Sequence, residues 1–105
     1  MDTARFRGAV SQEAVGVDLE GELGELCKAL GHPVRIRLIG IIQEVGACAS
    51  GELAEEFELA HSTVSEHLRI LKEAGLLEIF TSMGKRQYRV NQPRLTYLKS
   101  LVTVL

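Results

Sequence analysis

SGELAEEFELAHSTVSEHLRILKEAGLLEIFTSMGKRQYRV, residues 50–90, is the stretch whose pattern decides the fold. Two short amphipathic helices come first, joined by a tight turn; a strand, a basic turn and a second strand follow. Ser50 is positioned to cap the first helix, Glu52 lies in its first turn where the helix dipole favours an anion, and Leu53, Ala54 and Phe57 face inward. The second helix starts near Ser62 and repeats Val64, Leu68 and Leu71 at steps of four and three, with Gly75 placed to end it in the left-handed conformation. Residues 76–81 and 86–90 read as strands around the turn Ser82-Met83-Gly84-Lys85, with Tyr88 and Val90 on one face of the second strand and Gln87 and Arg89 on the other. A helix-turn-helix followed by a hairpin with Lys85 and Arg86 near its tip is the layout of a winged helix. Such a unit can set one helix in a major groove while the hairpin grips the neighbouring backbone.

Upstream, Leu19, Leu23, Leu26 and Leu30 recur at helical spacing, which predicts a helix over 19–30 that Gly31 can end in the left-handed conformation. His32-Pro33 opens the next helix, because a proline in the first turn loses no intrahelical bond. That helix, PVRIRLIGIIQEV, is expected to bury Val34, Leu38, Ile41, Ile42 and Val45 and to stop at Gly46. Its Gly40 costs roughly 1 kcal/mol of helix propensity against Ala, which points to close packing there. Downstream, Pro93 opens a last helix bearing Leu95, Leu98, Leu101 and Val102. The expected fold is mainly α with a small β-hairpin wing, about five helices and two strands, in one domain over 19–105 after a flexible or loosely docked tail over 1–18.

Apolar residues make up 46% of the 105, aromatics only 5%, and there is no Trp, so the core must be built from Leu, Ile, Val and Ala. No apolar run is long enough to cross a membrane and no secretory signal pattern opens the chain, so a cytoplasmic home with no membrane is expected. Two cysteines are too few for a disulfide scaffold. The net charge of −2 conceals an asymmetry. Residues 1–31 and 32–60 each carry −3, whereas residues 61–105 carry seven basic side chains against three acidic, for +4. Basic charge thus gathers where the reading helix and wing lie, as an electrostatic footprint for DNA requires.

The apolar stripe of the second helix of the motif fixes its outward face. Ser62, Glu66, Arg69 and Glu73 lie opposite Val64, Leu68 and Leu71, flanked by Thr63, Ser65 and Ile70. His61, Ser62, Thr63, Ser65, Glu66 and Arg69 are therefore the candidate DNA contacts of this helix. Hydroxyls bond bases or phosphates, Arg69 suits guanine or phosphate, and Glu66 repels phosphate yet can accept from cytosine N4. Lys85 and Arg86 are assigned to backbone phosphate or the minor groove. A solvated helix face would show similar residues; the adjoining basic wing favours DNA. His67 lies at the edge of the buried stripe and reads as a packed histidine bonded to backbone. No histidines stand at ligand spacing with a carboxylate, and no nucleophile triad, phosphate loop or paired-carboxylate cleft suggests an enzyme. A winged helix used only for protein–protein contact is the rival class; it predicts no salt-sensitive DNA affinity.

With these residues in place, the chain resembles the ArsR/SmtB family of winged-helix repressors over residues 26–101. CKALGHPVRIRLI (27–39) is similar to the family's opening signature, GELAEEF (51–57) and HSTVSEHLRILKEAGLL (61–77) to its helix-turn-helix core, and GKRQYRV (84–90) to the second half of its wing. The resemblance implies a homodimer formed by the first and last helices, an inverted-repeat operator in double-stranded DNA, and repression relieved by an inducer. Dimerisation is expected on physical grounds too, because a lone winged helix makes few base contacts and a symmetric pair doubles them. The sensor positions depart from the family. Its Cys-x-Cys before the helix-turn-helix reads Ala49 and Gly51 here, and its zinc set on the last helix is replaced by Arg94, Thr96, Tyr97 and Lys99. Neither metal site carries over, and the metal and any cofactor stay open. Cys27 reads as a core residue. Cys48, close to a helix N-terminus that lowers a thiol's pKa, is the candidate inducer or redox residue. With Cys27 or a dimer mate it could hold arsenite or a similar soft ion, or form a disulfide; an organic ligand or partner protein is the alternative signal.

Overall fold

The computed structural model describes residues 18–105, so all but the last residue of the tail expected over 1–18 lies outside the described residues. The elements are α1 (Leu19–Leu30), α2 (Pro33–Val45), α3 (Ser50–Phe57), α4 (His61–Glu73), β1 (Leu77–Ser82), β2 (Lys85–Val90) and α5 (Gln92–Thr103). Five helices and one antiparallel hairpin among the described residues match the expected winged-helix architecture. One core runs through them, with Leu26, Leu38, Ile42, Leu53, Val64, Leu68, Leu71 and Leu76 essentially sealed from solvent. Each such leucine or isoleucine contributes about 2 kcal/mol through the apolar surface it removes from water.

Asp18, assigned to the tail, belongs to α1: its carboxylate accepts the Gly21 N–H at 2.8 Å and caps the helix. Leu23, Leu26 and Ala29 form the buried side of α1. Cys27 stands about 100° around the helix from Leu26 and is exposed, which corrects its expected core role. Gly31 ends α1 with φ −73° rather than in the left-handed region. Its role is steric, since a Cβ there would sit 2.9 Å from the Cys27 carbonyl oxygen.

His32 caps α2 from an extended backbone, its Nδ1 accepting the Val34 N–H at 3.1 Å. The buried positions of α2 are Leu38, Ile39 and Ile42; Val34 and Ile41 are half-buried and Val45 is exposed. The stripe therefore rotates toward Ile39, and Val45 at the helix end lies past the core. Nothing within 4 Å would meet a Cβ at Gly40, so close packing does not explain that glycine within one chain. Helix α3 starts from Ala49 with no side-chain cap, which corrects the cap assigned to Ser50. Helix α4 begins at His61, one residue before the expected start, and buries Val64, Leu68 and Leu71 as expected.

In the hairpin Leu77 pairs with Val90 and Ser82 with Lys85, leaving Met83-Gly84 as a two-residue turn. Both turn residues have positive φ, 52° and 75°, the signature of the turn whose twist matches the flanking strands. The segment before α3 also joins the wing: Cys48 and Tyr88 exchange backbone hydrogen bonds of 3.0 and 2.8 Å in an isolated antiparallel bridge. Helix α5, capped by Asn91 on the Arg94 N–H, buries Leu95, Leu98 and Leu101. The Tyr97 hydroxyl donates to Glu22 at 2.6 Å, and Arg94 lies 3.6 Å from Glu22 while donating to the Ala74 carbonyl at 3.4 Å. These bonds tie α5 both to α1 and to the end of α4.

Candidate nucleic-acid interface

Burial of Val64, Leu68 and Leu71 turns the opposite side of α4 outward, and Ser62, Thr63, Glu66 and Arg69 are all exposed, with Ser65 half-buried. The sequence thus places its reading-helix candidates on one solvent-facing side. What it leaves unseen is how Arg69 is engaged. The guanidinium holds both Glu66 oxygens, at 2.9 Å through Nε and 2.5 Å through Nη2, and donates from Nη1 to Glu73 at 2.7 Å. Steps of three and four along a helix bring such side chains together, so the spacing carries the signal. The hydrogen bonds from Arg69 lower the Glu66 pKa, and those to Glu66 and Glu73 raise that of Arg69. Exposed pairs of this kind add little to stability. Their consequence is electrostatic: the cation on this outward face stands between two carboxylates that offset its charge.

His61 is exposed at the start of α4, and its Nε2 lies 2.8 Å from the Ser50 hydroxyl at the start of α3. Ser50 therefore joins the first turns of the two helices instead of capping its own. His67 is half-buried and lies against His32, with ring centroids 4.5 Å apart and the ring planes tilted by 46°. Its Nδ1 is buried without a hydrogen-bond partner among the described residues, so the expected bond to backbone is not formed. Burial first, then the charges of His32 and Arg35, lower its pKa.

On the wing, Lys85 and Arg86 are exposed and neither has an ion pair among the described residues. Arg89, further along β2, is engaged: it donates to Glu78 at 3.0 Å and lies 4.7 Å over the Phe80 ring. The unpaired cations of the hairpin are therefore at its tip, where they can meet an external anion without breaking an internal pair.

The thiols reverse their expected environments. Cys27 is exposed and Cys48 is buried. Burial, and secondarily the Glu52 carboxylate, raise the Cys48 pKa, opposite to the lowering expected from the nearby helix start. Among the described residues no group of three or more His, Cys, Asp or Glu side chains could hold a metal ion. At the last-helix positions, Arg94 and Tyr97 are committed to Glu22 and Ala74. No described helix is long and apolar enough to cross a membrane.

Comparison with known proteins follows the same lines. A helix-turn-helix domain family matches residues 30–79. The biofilm growth-associated repressor of Xylella fastidiosa is 31% identical over 77 residues, covering 73% of this chain and 67% of that protein. The HTH-type transcriptional repressor SmtB of Mycobacterium tuberculosis is 35% identical over 75 residues, covering 71% of this chain and 55% of that one. In backbone, the ArsR-like transcriptional regulator from Rhodococcus sp. RHA1 superposes with a TM-score of 0.75 over 83% of this chain and 81% of its own, at 20% identity, a likeness of fold alone.

Proposed function

The chain belongs to the ArsR/SmtB family of winged-helix transcriptional repressors, and from that premise we propose that it works as a homodimer on an inverted-repeat operator. The observation that carries the reading is the pairing of an outward polar face on α4 with a wing whose Lys85 and Arg86 have no internal ion pair. In this reading Ser62, Thr63 and Ser65 bond base edges or phosphates from the first half of α4, with His61 at its mouth held by Ser50. Glu66 and Arg69 act as a unit, the carboxylate accepting from cytosine N4 and the guanidinium donating to guanine. Lys85 and Arg86 fix the hairpin on the phosphodiester backbone.

Dimerisation through α1 and α5 is supported by the exposed Val102 and Leu105 at the chain's end, apolar side chains that gain from a partner surface. Two reading helices related by a twofold axis then set the half-site spacing. Relief of repression through the family's two known metal sites does not fit this chain, because Ala49, Gly51, Thr96 and Lys99 are not metal-ligating side chains. A thiol signal fits Cys27 better than Cys48, since reaction requires an accessible thiolate.

The test is selection of duplexes from a random pool by the reduced protein. Enrichment of an inverted repeat with half-sites about one helical turn apart supports the proposal; failure to enrich any sequence refutes it.

A further inference from the structure

The turn of the wing places Met83 where nothing inside the chain accounts for it. Its φ is +52°, in the left-handed region that favours Gly, Asn and Asp and strains longer side chains. Its side chain is 99% exposed, so the thioether returns no packing to the folded state. Asn followed by Gly84 would satisfy the same turn with less strain. The hairpin thus carries an apolar side chain at its outermost point, held in an unfavourable backbone conformation, separated by Gly84 alone from two unpaired cations. A wing that touched only phosphates would gain nothing from such a tip, because a thioether offers neither charge nor a hydrogen-bond donor. Apolar side chains do have a use in the minor groove, where they wedge against or between base pairs, unstack them and bend the duplex.

We propose that Met83 is a minor-groove wedge. This rests on the DNA-binding reading above and extends it. When α4 docks, the wing enters the adjoining minor groove, Lys85 and Arg86 engage the phosphates on its rim, and the Met83 side chain seats at a base step. Pyrimidine–purine steps such as TA and CA unstack most readily, so the wedge selects one of these at a position that no hydrogen bond reads. Each protomer supplies one wedge, and a symmetric dimer places two of them in equivalent flanks of the operator.

The experiment uses a duplex selected by the full wild-type chain, with 2-aminopurine placed successively in the flanking minor-groove steps and a dye pair at the duplex ends to report bending. Wild-type protein should raise 2-aminopurine fluorescence at one step in each half-site and shorten the end-to-end distance. Met83→Asn should keep or raise the melting temperature, abolish both signals and weaken binding about tenfold per wedge, or about a hundredfold for the dimer, as expected for losing part of one buried methionine side chain at each of two contacts. Met83→Leu should retain both signals, which separates an apolar wedge from any general damage to the turn. Replacing the selected pyrimidine–purine step by AA should weaken wild-type binding and leave Met83→Asn unaffected. If the wild type binds the duplex but Met83→Asn binds and bends it equally, the wedge is wrong and the DNA-binding reading stands. If the wild type binds no duplex, both fall.

Discussion

Replacing Lys85 and Arg86 together by alanine isolates the electrostatic part of the proposed interface, because both side chains are exposed and neither has an internal ion pair among the described residues. Their removal breaks no intramolecular bond, so the melting temperature should stay within a degree or two of wild type. Their contribution to DNA binding is set by counterion release. Each phosphate neutralised steepens the dependence of log K on log salt by about 0.9 for B-DNA. Two side chains on each of two protomers make four such contacts, so the variant's slope should be shallower by about 3.6. Between 50 and 200 mM salt the wild type should therefore lose about 150-fold more affinity than the variant. Fluorescence anisotropy of a labelled duplex, titrated at five salt concentrations with each protein, measures both slopes. An unchanged slope would refute the assignment of these residues to phosphate. A drop in affinity accompanied by a fall in melting temperature would show that the substitutions disturb the fold instead.

Other consequences follow from the charge, burial and proton affinity of particular groups. Glu66→Gln frees Arg69 of its bidentate partner and removes a charge facing the phosphates, so binding to a scrambled duplex should strengthen. Binding to the selected duplex should weaken by about tenfold for each lost cytosine contact, about a hundredfold for the dimer, and an unaltered ratio of the two affinities would rule out a reading role for Glu66. Titration of the native chain with a coloured disulfide reagent at neutral pH should modify Cys27 quickly and Cys48 only on unfolding; equal rates would contradict the burial and raised pKa of Cys48. His67 is held below its ordinary pKa of 6.5 in the folded chain, so the unfolded chain takes up the proton more readily. Stability present above pH 6.5 should then fall as the pH drops toward the folded value, and His67→Gln should flatten the melting-temperature profile between pH 7.5 and 5.5. Parallel profiles for the two proteins would show that His67 does not carry this dependence.

The parts of the fold legible in the sequence are those fixed by local periodicity. Leu19 to Leu30 and Val64 to Leu71 repeat at helical spacing, Pro33 and Gly75 mark boundaries that backbone geometry enforces, and Met83-Gly84 sits between two strand-like runs. The misreadings have two causes, which side of a helix the core selects and neighbours distant in the chain. Ser50 has the chemistry of a cap, but His61 draws its hydroxyl away. Cys27 falls within reach of a leucine stripe, yet Ala29 completes the buried side of α1 and leaves the thiol outside. Cys48 lies beside a helix start in sequence, but pairing with Tyr88 carries it under the wing, where burial outweighs any effect of the helix. In the candidate interface, residue positions were readable and residue partnerships were not. Periodicity places Glu66, Arg69 and Glu73 on one side of α4, whereas the fork between them depends on rotamers that spacing alone does not choose.

The central claim is sequence-specific DNA binding by a symmetric pair of chains, and an anisotropy titration of the wild-type protein against its selected duplex and a scrambled one at 150 mM salt tests it most directly. The expected result is saturation at two chains per duplex, with the selected sequence bound at least about a thousandfold more tightly than the scrambled one. Equal affinity for both duplexes, or saturation at one chain per duplex, would contradict it.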